Sequence, residues 1–381
     1  MCIRDSAMGE LQRGIENVEY ACSAPEILKG EHSKNVGQSV DCWSEFQPLG
    51  VVAGITPFNF PAMVPMWMYP LAIVCGNCFI LKPSERDPSS TLYIAELLHE
   101  AGLPKGVLNV VNGNKEAVDT LLHDERIQAV SFVGSTPIAE YIYSTATANG
   151  KRCQALGGAK NHAIVMPDAD IEKVVAGTVS SGFSNAGQVC ISAQRIITDR
   201  KVYADYIDAL TEGVKGISTG NPMDENVKMG PMVRPQDAVR VNEWVREAVA
   251  GGARTVIGGE YEGAIHSPTV LADVKPEMRI SCDELFGPAV AVTPSSSIEE
   301  AISLANDSNY GLSAAIFTQN IDWAMKFARE VESGNLMINS GPQWRADLMP
   351  YGGLKESGMG KEGPKYAVEE MTELKMVIYH P

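Results

Sequence analysis

Short apolar runs alternate with amphipathic stretches along almost all of the 381 residues, and this rhythm constrains the chain more than any other feature. Residues 49–55, 78–81, 107–111 and 129–133 read as buried strands. Between them, 61–74, 88–100, 115–123 and 137–147 read as helices. The pattern restarts after Gly157-Gly158, with strands expected at 163–166, 195–198, 255–258, 313–318 and 335–339. Helices are expected there at 171–183, 202–215, 237–250, 298–306 and 323–331. A β-α-β-α order predicts parallel sheets covered by helices on both faces, because parallel neighbours need a long crossover between them. At about 150 residues per domain, two such α/β lobes fit the length, divided near the glycine pair. The tail 373–380 reads as an apolar strand with no obvious partner in its own lobe, and such strands often join another subunit.

Composition narrows the function classes. With 47 acidic against 31 basic residues the formal charge is −16, which disfavours a nucleic-acid partner, since such binding needs basic patches over phosphates. Eight cysteines (2, 22, 42, 75, 78, 153, 190, 282) are spread too widely for a disulfide framework. Cys75 and Cys78 have redox or zinc spacing, but no second pair or His cluster completes a site, so no metal is expected. The longest apolar stretch, 64–74, falls short of a membrane span. Met1-Cys2-Ile3-Arg4-Asp5-Ser6 carries charge where a signal peptide needs its apolar region, so a reducing compartment, the cytoplasm or an organelle matrix, is the default.

Six segments carry chemistry-bearing residues. Asn185-Ala186-Gly187-Gln188-Val189-Cys190 puts a cysteine after a small, flexible stretch, where a helix start would favour its thiolate; a core cysteine is the equal alternative. Thr56-Pro57-Phe58-Asn59-Phe60-Pro61 follows a strand and holds the Asn59 amide between aromatics, where it needs a hydrogen-bond partner in the fold or on a substrate. Leu81-Lys82-Pro83-Ser84-Glu85 also ends a strand, where ligands of doubly wound sheets bind. Phe132-Val133-Gly134-Ser135-Thr136 joins a strand to a helix whose first amides suit a phosphate, although the chain has no Gly-x-Gly-x-x-Gly. Asp283-Glu284-Leu285-Phe286-Gly287-Pro288 sets a carboxylate and an aromatic on one turn, and 350–358 is a glycine-rich loop.

Taken together and in this order, the six segments resemble the NAD(P)-dependent aldehyde dehydrogenases, from about Gly14 to the C-terminus. The resemblance implies a Rossmann-like cofactor lobe and a catalytic lobe, both doubly wound, with a small β arm for homo-oligomerisation. It implies a partial helical segment at 1–26, arm strands at 27–47, a cofactor domain at 48–157, a catalytic domain at 158–362 and a return segment at 363–381. It also implies that part of the cofactor lobe usually precedes the position of Gly14. Cys190 would be the nucleophile, with the Asn59 amide and the Cys190 backbone N–H as oxyanion hole. Thr56, Pro57, Phe58, Lys82, Ser84, Glu85, Gly113, Gly134 and Ser135 would hold NAD (or NADP), with Lys82 and Glu85 on the adenine ribose and Ser135 on the pyrophosphate. Glu284 and Phe286 would face the nicotinamide end.

Release of the resulting thioester divides this family. Hydrolysing members carry a glutamate just before the paired glycines as general base for water, whereas here Ala155 or Leu156 stands at that place, depending on how the glycines are matched. The segment Lys160–Ala169 and the run Pro57–Trp67 resemble the acylating branch, the methylmalonate-semialdehyde dehydrogenases, which implies coenzyme A as acyl acceptor. That branch has an arginine before the nucleophile, where this chain has Val189; 338–363 instead resembles members acting on lactaldehyde or phosphorylated aldehydes. Arg345 is a candidate anion contact there, or else the partner of Asp347 or another acid in an internal ion pair. The alternatives to an acylating enzyme are a hydrolysing one, with Glu362 as a distant base, and a catalytically silent scaffold.

Overall fold

The computed structural model describes residues 3–381; Met1 and Cys2, which open the charged N-terminal stretch, lie outside the described residues. The chain builds two compact units: Gly9–Gly157 with Ala346–Tyr351 and Gly358–Pro381, and a second made chiefly of Gly158–Arg345 with Gly352–Ser357.

In the first unit, five parallel strands lie in the spatial order Arg152–Leu156, Ile127–Val133, Val51–Ile55, Cys78–Lys82, Leu108–Val110, and Gly358–Met359 pairs antiparallel with the first of these. Both faces are covered, so the central strand is buried almost throughout instead of alternating. Met63–Val74, apolar all round, is buried on nearly every side, while Thr136–Ala148 buries only Ala139, Ile142 and Ala146, one stripe at helical spacing. Val51–Ile55 comes first in the chain yet lies mid-sheet. The chain steps outward from it to Cys78–Lys82 and Leu108–Val110, then crosses back to Ile127–Val133 on its other side. That reversal opens a crevice at the carboxyl ends of Val51–Ile55 and Ile127–Val133.

A separate three-stranded antiparallel sheet joins His32–Gly37, Val40–Pro48 and Thr372–Tyr379. The tail strand was expected to lack a partner in its own lobe. It has one: Asp41 to Pro48 pair in unbroken register with Tyr379 back to Thr372. Sequence patterning misses this because the two strands are over 300 residues apart and mostly solvated.

The second unit carries a seven-stranded sheet in the order Arg254–Ile257, Thr269–Ala272, Ala289–Ser295, Ala193–Asp199, Asn161–Val165, Ser313–Phe317, Asn335–Ile338, parallel except for the first pair. Among the strands that lie outside the runs read from sequence, Arg152–Leu156 opens on polar residues, Thr269–Ala272 has four residues, and Ala289–Ser295 contains a proline.

Candidate active site

The first unit brings its four candidate cofactor segments to one edge, the carboxyl ends of neighbouring parallel strands. Thr56 follows Val51–Ile55, is buried, and donates its N–H to the Lys82 carbonyl at 3.1 Å. Its hydroxyl is buried and makes no hydrogen bond. Pro57 and Phe58 are half-buried, with the Arg86 guanidinium 5.3 Å above the Phe58 ring, and Asn59 is buried at 4% exposure. Lys82 ends its strand with its ammonium held inside the fold, 3.2 Å from the exposed Glu85 carboxylate. Burial works to raise Glu85, but its own backbone N–H, Lys82 and Arg86 outweigh this and hold it below the usual carboxylate range. The Ser84 hydroxyl accepts from the Arg86 N–H. Gly113, at φ +153°, lies beyond Leu108–Val110 at the head of Lys115–His123. Gly134 donates to the Leu156 carbonyl, and Ser135 precedes Thr136–Ala148 without spending its hydroxyl on the helix cap. Thr56–Asn59 and Gly134–Ser135 thus flank the crevice at the switch point.

The second unit places its candidates at the opposite kind of edge, the amino ends of three adjacent strands. Ala159-Lys160 leads into Asn161–Val165, Cys190 into Ala193–Asp199, and Glu284–Pro288 into Ala289–Ser295. Cys190 is partly exposed, and none of the described cysteines is in a disulfide. It stands in a turn between the 3₁₀ segment Ser184–Gly187 and the strand, not at a helix start. The expected helix dipole therefore does not act on its thiol. What precedes it is a left-handed run, Asn185 at φ 52°, Ala186 at 53° and Gly187 at 70°. Two non-glycine residues in that region store strain, which persists only where the surroundings over-determine it. Those surroundings are specific: a Cβ on Gly187 would fall 2.1 Å from the Gly287 carbonyl oxygen, and the Gln188 carboxamide accepts from Val233 N–H at 3.0 Å. The turn that leads to Cys190 therefore packs backbone to backbone on the Glu284–Pro288 loop.

That loop is itself pinned. Glu284 accepts from the Ala159 N–H at 2.9 Å, and Phe286 sits at φ 48°. Desolvation pushes the Glu284 carboxyl up to about 7, against the pull of the Ala159 N–H, Lys160 and Arg240. Lys160, 2% exposed, donates to the Gln194 carboxamide oxygen at 3.0 Å, which also accepts from Leu285 N–H at 2.9 Å. Burial and the nearby Arg195 push the Lys160 ammonium down to about 7, with Glu284 and Asp283 opposing. Asn161 donates to the Cys190 carbonyl at 2.7 Å. Sequence reasoning quoted Lys160 and Asn161 only for resemblance and missed Gln194, because their roles depend on strand neighbours far apart in the chain.

Ala155 and Leu156 end the strand Arg152–Leu156, 2% and 3% exposed, and neither carries a proton-accepting group. Glu362, the alternative base, is 1% exposed, accepts from Gln154 at 2.9 Å, and exchanges backbone hydrogen bonds with Tyr351. Arg345 is buried at 8% exposure, and Asp347, considered as its partner, receives a two-pronged bond from Arg13 at 2.8 Å for each oxygen. Among the described residues, no group of three or more His, Cys, Asp or Glu side chains is placed to hold a metal ion, and no helix is long and apolar enough to cross a membrane.

The comparisons with known proteins agree with one another. A family model described as the aldehyde dehydrogenase family matches residues 2–377. The chain is 51% identical over 364 residues to a malonate-semialdehyde dehydrogenase of Pseudomonas aeruginosa, covering 93% of this chain and 73% of that protein. The crystal structure of methylmalonate-semialdehyde dehydrogenase from Oceanimonas doudoroffii aligns at TM-score 0.97 with 49% identity, over 99% of this chain and 79% of that one. A Sinorhizobium meliloti 1021 structure described as a methylmalonate-semialdehyde dehydrogenase complexed with NAD aligns at TM-score 0.97 with 39% identity, again over 99% and 79%. With half-identity to a relative and a family match over nearly every residue, this chain belongs to the aldehyde dehydrogenase family.

Proposed function

We propose that this chain oxidises a small carboxylate-bearing aldehyde, malonate or methylmalonate semialdehyde, through a thioester on Cys190, and passes the acyl group to coenzyme A. The carrying observation is the closed, apolar pair Ala155-Leu156 at the place where hydrolysing members keep their general base. Without an acid there, water has no proton acceptor from that position, whereas a thiol needs less activation. The names of the relatives favour the same substrates and, in one case, NAD.

The residues fit NAD. The buried, unbonded Thr56 hydroxyl and the buried Lys82 ammonium with Glu85 are polar groups at the switch point that suit ribose hydroxyls, and the Ser135 N–H at the head of Thr136–Ala148 suits a pyrophosphate. Pro57, Phe58, Ser84 and Gly113 line the same strand ends, and Glu284 with Phe286 would hold the nicotinamide end. NAD, when bound, supplies a hydride acceptor.

The chain's own groups do the rest. The Cys190 thiolate attacks the carbonyl carbon, forming the C–S bond while the carbonyl π pair moves to oxygen. The Asn59 amide and the Cys190 N–H donate to that oxyanion. As the oxyanion re-forms C=O, hydride leaves the carbon and a thioester remains. The thiolate of coenzyme A then adds to the thioester carbon, and collapse expels the Cys190 thiolate. Arg345 is the candidate contact for the substrate carboxylate, a planar fork matched to it. The seven described cysteines, none disulfide-bonded, fit a reducing cytoplasm.

Steady-state NADH formation from malonate semialdehyde, with and without coenzyme A, tests the proposal. NADH should accumulate beyond one equivalent of enzyme only with coenzyme A, and acyl-CoA should appear in step. An undiminished rate without it would assign the chain to the hydrolysing branch.

A further inference from the structure

Asn161 opens Asn161–Val165, the interior strand between Ala193–Asp199 and Ser313–Phe317, and is 1% exposed. Its amide nitrogen donates to the carbonyls of Cys190 at 2.7 Å and Ser192 at 3.0 Å, and its oxygen accepts from the Ser313 N–H at 3.1 Å. One carboxamide thus joins the turn carrying Cys190, ahead of Ala193–Asp199, to Ser313–Phe317 on the other side of the Asn161 strand. The ladder explains why a side chain is needed. Asn161 pairs with Ala193, but His162 pairs with Arg195, so Gln194 is an extra residue in the cysteine strand. Such bulges leave a residue unpaired and kink the strand, and they recur beside active sites, where they re-aim side chains. Here the Asn161 amide bonds two carbonyls of the segment that leads into the bulged strand. The bulged Gln194 meanwhile takes Lys160, Leu285 N–H and, at 3.4 Å, the Ala159 carbonyl.

We propose that Asn161 is a positioning residue for the reaction: its carboxamide holds the Cys190–Ser192 turn so that the thiol is aimed at the substrate carbonyl. The inference rests on the reading of Cys190 as nucleophile. Deleting this buried amide removes a hydrogen bond from each of two carbonyls and leaves the turn free to relax, and a thiol displaced from its near-attack geometry loses rate, not cofactor affinity.

The test compares Asn161→Asp and Asn161→Ser with the full wild-type chain. Asp keeps the shape but presents acceptors to two carbonyl oxygens, and Ser is too short to reach both. Four quantities are read: the rate of Cys190 carbamidomethylation by iodoacetamide, mapped by peptide mass; kcat for NADH formation; the dissociation constant for NAD; and the thermal melt. Alkylation rate and kcat should each fall about tenfold or more in any variant that melts cooperatively, with NAD affinity within about twofold of wild type. If Asn161→Asp does not fold, Asn161→Ser decides. Folded variants that alkylate and turn over within about twofold of wild type overturn the proposal. So does loss of cooperative melting in both, or loss of NAD affinity in parallel with kcat, since either assigns Asn161 to fold stability. Turnover retained in Cys190→Ala would instead sink the nucleophile reading, whatever the Asn161 variants show.

Discussion

At the scale of single residues, Asn59 shows what burial adds to a polar side chain. Its amide is 4% exposed in a turn bounded by Pro57 and Pro61, beside a strand end whose neighbours are apolar. An amide held there is preorganised, and preorganised donors stabilise developing negative charge far more than solvated ones do. Asn59→Ala should therefore cost about 10²–10³ in kcat, with little change in the far-ultraviolet spectrum, when NADH formation is compared with wild type. Loss below about tenfold would remove it from the oxyanion hole. Residue types alone singled out Cys190, Asn59, Lys82 and Glu85, because each is costly or reactive in the context its neighbours imply. Gln194 and Asn161 carry no such mark, since a carboxamide is ordinary until its partners are known.

At the scale of elements, the turn before Cys190 departs from what its sequence predicts. A helix start was expected, and a left-handed run beside a Gly–Gly contact is found. The sequence is small and flexible in either case, so local propensity cannot choose between them; packing against Gly287 does. Gly187→Ala isolates this contact, because alanine is strained at φ 70° and its methyl would meet the Gly287 carbonyl at 2.1 Å. The variant should lose about 1–3 kcal/mol of stability in denaturant titrations. It should also lose Cys190 reactivity. Wild-type stability with full reactivity would show that the two loops separate readily.

At the scale of the whole molecule, the arm sheet leaves Thr372–Tyr379 as an edge strand with Leu374, Met376, Ile378 and Tyr379 exposed. Long exposed apolar edges template pairing with another chain, and we propose that this one joins a second copy. Leu374→Lys with Ile378→Lys should shift the mass seen in light scattering toward the monomer without loss of helical signal. An unchanged oligomer would place the subunit contact elsewhere. The alternation of strand and helix, and with it the two parallel sheets, was determined by the sequence alone, since period and element length are local properties that burial merely enforces. The candidate cofactor loops were legible for the same reason, because the carboxyl end of a strand is a place in the sequence as well as in the sheet. Only the tertiary structure decided that Cys190, Asn161 and Glu284 meet at the amino ends of three strands, that Thr372–Tyr379 finds Val40–Pro48, and that Arg13 reaches Asp347. Those contacts join residues from 29 to 338 positions apart, and a pattern with a period of two or 3.6 residues carries no information across such distances.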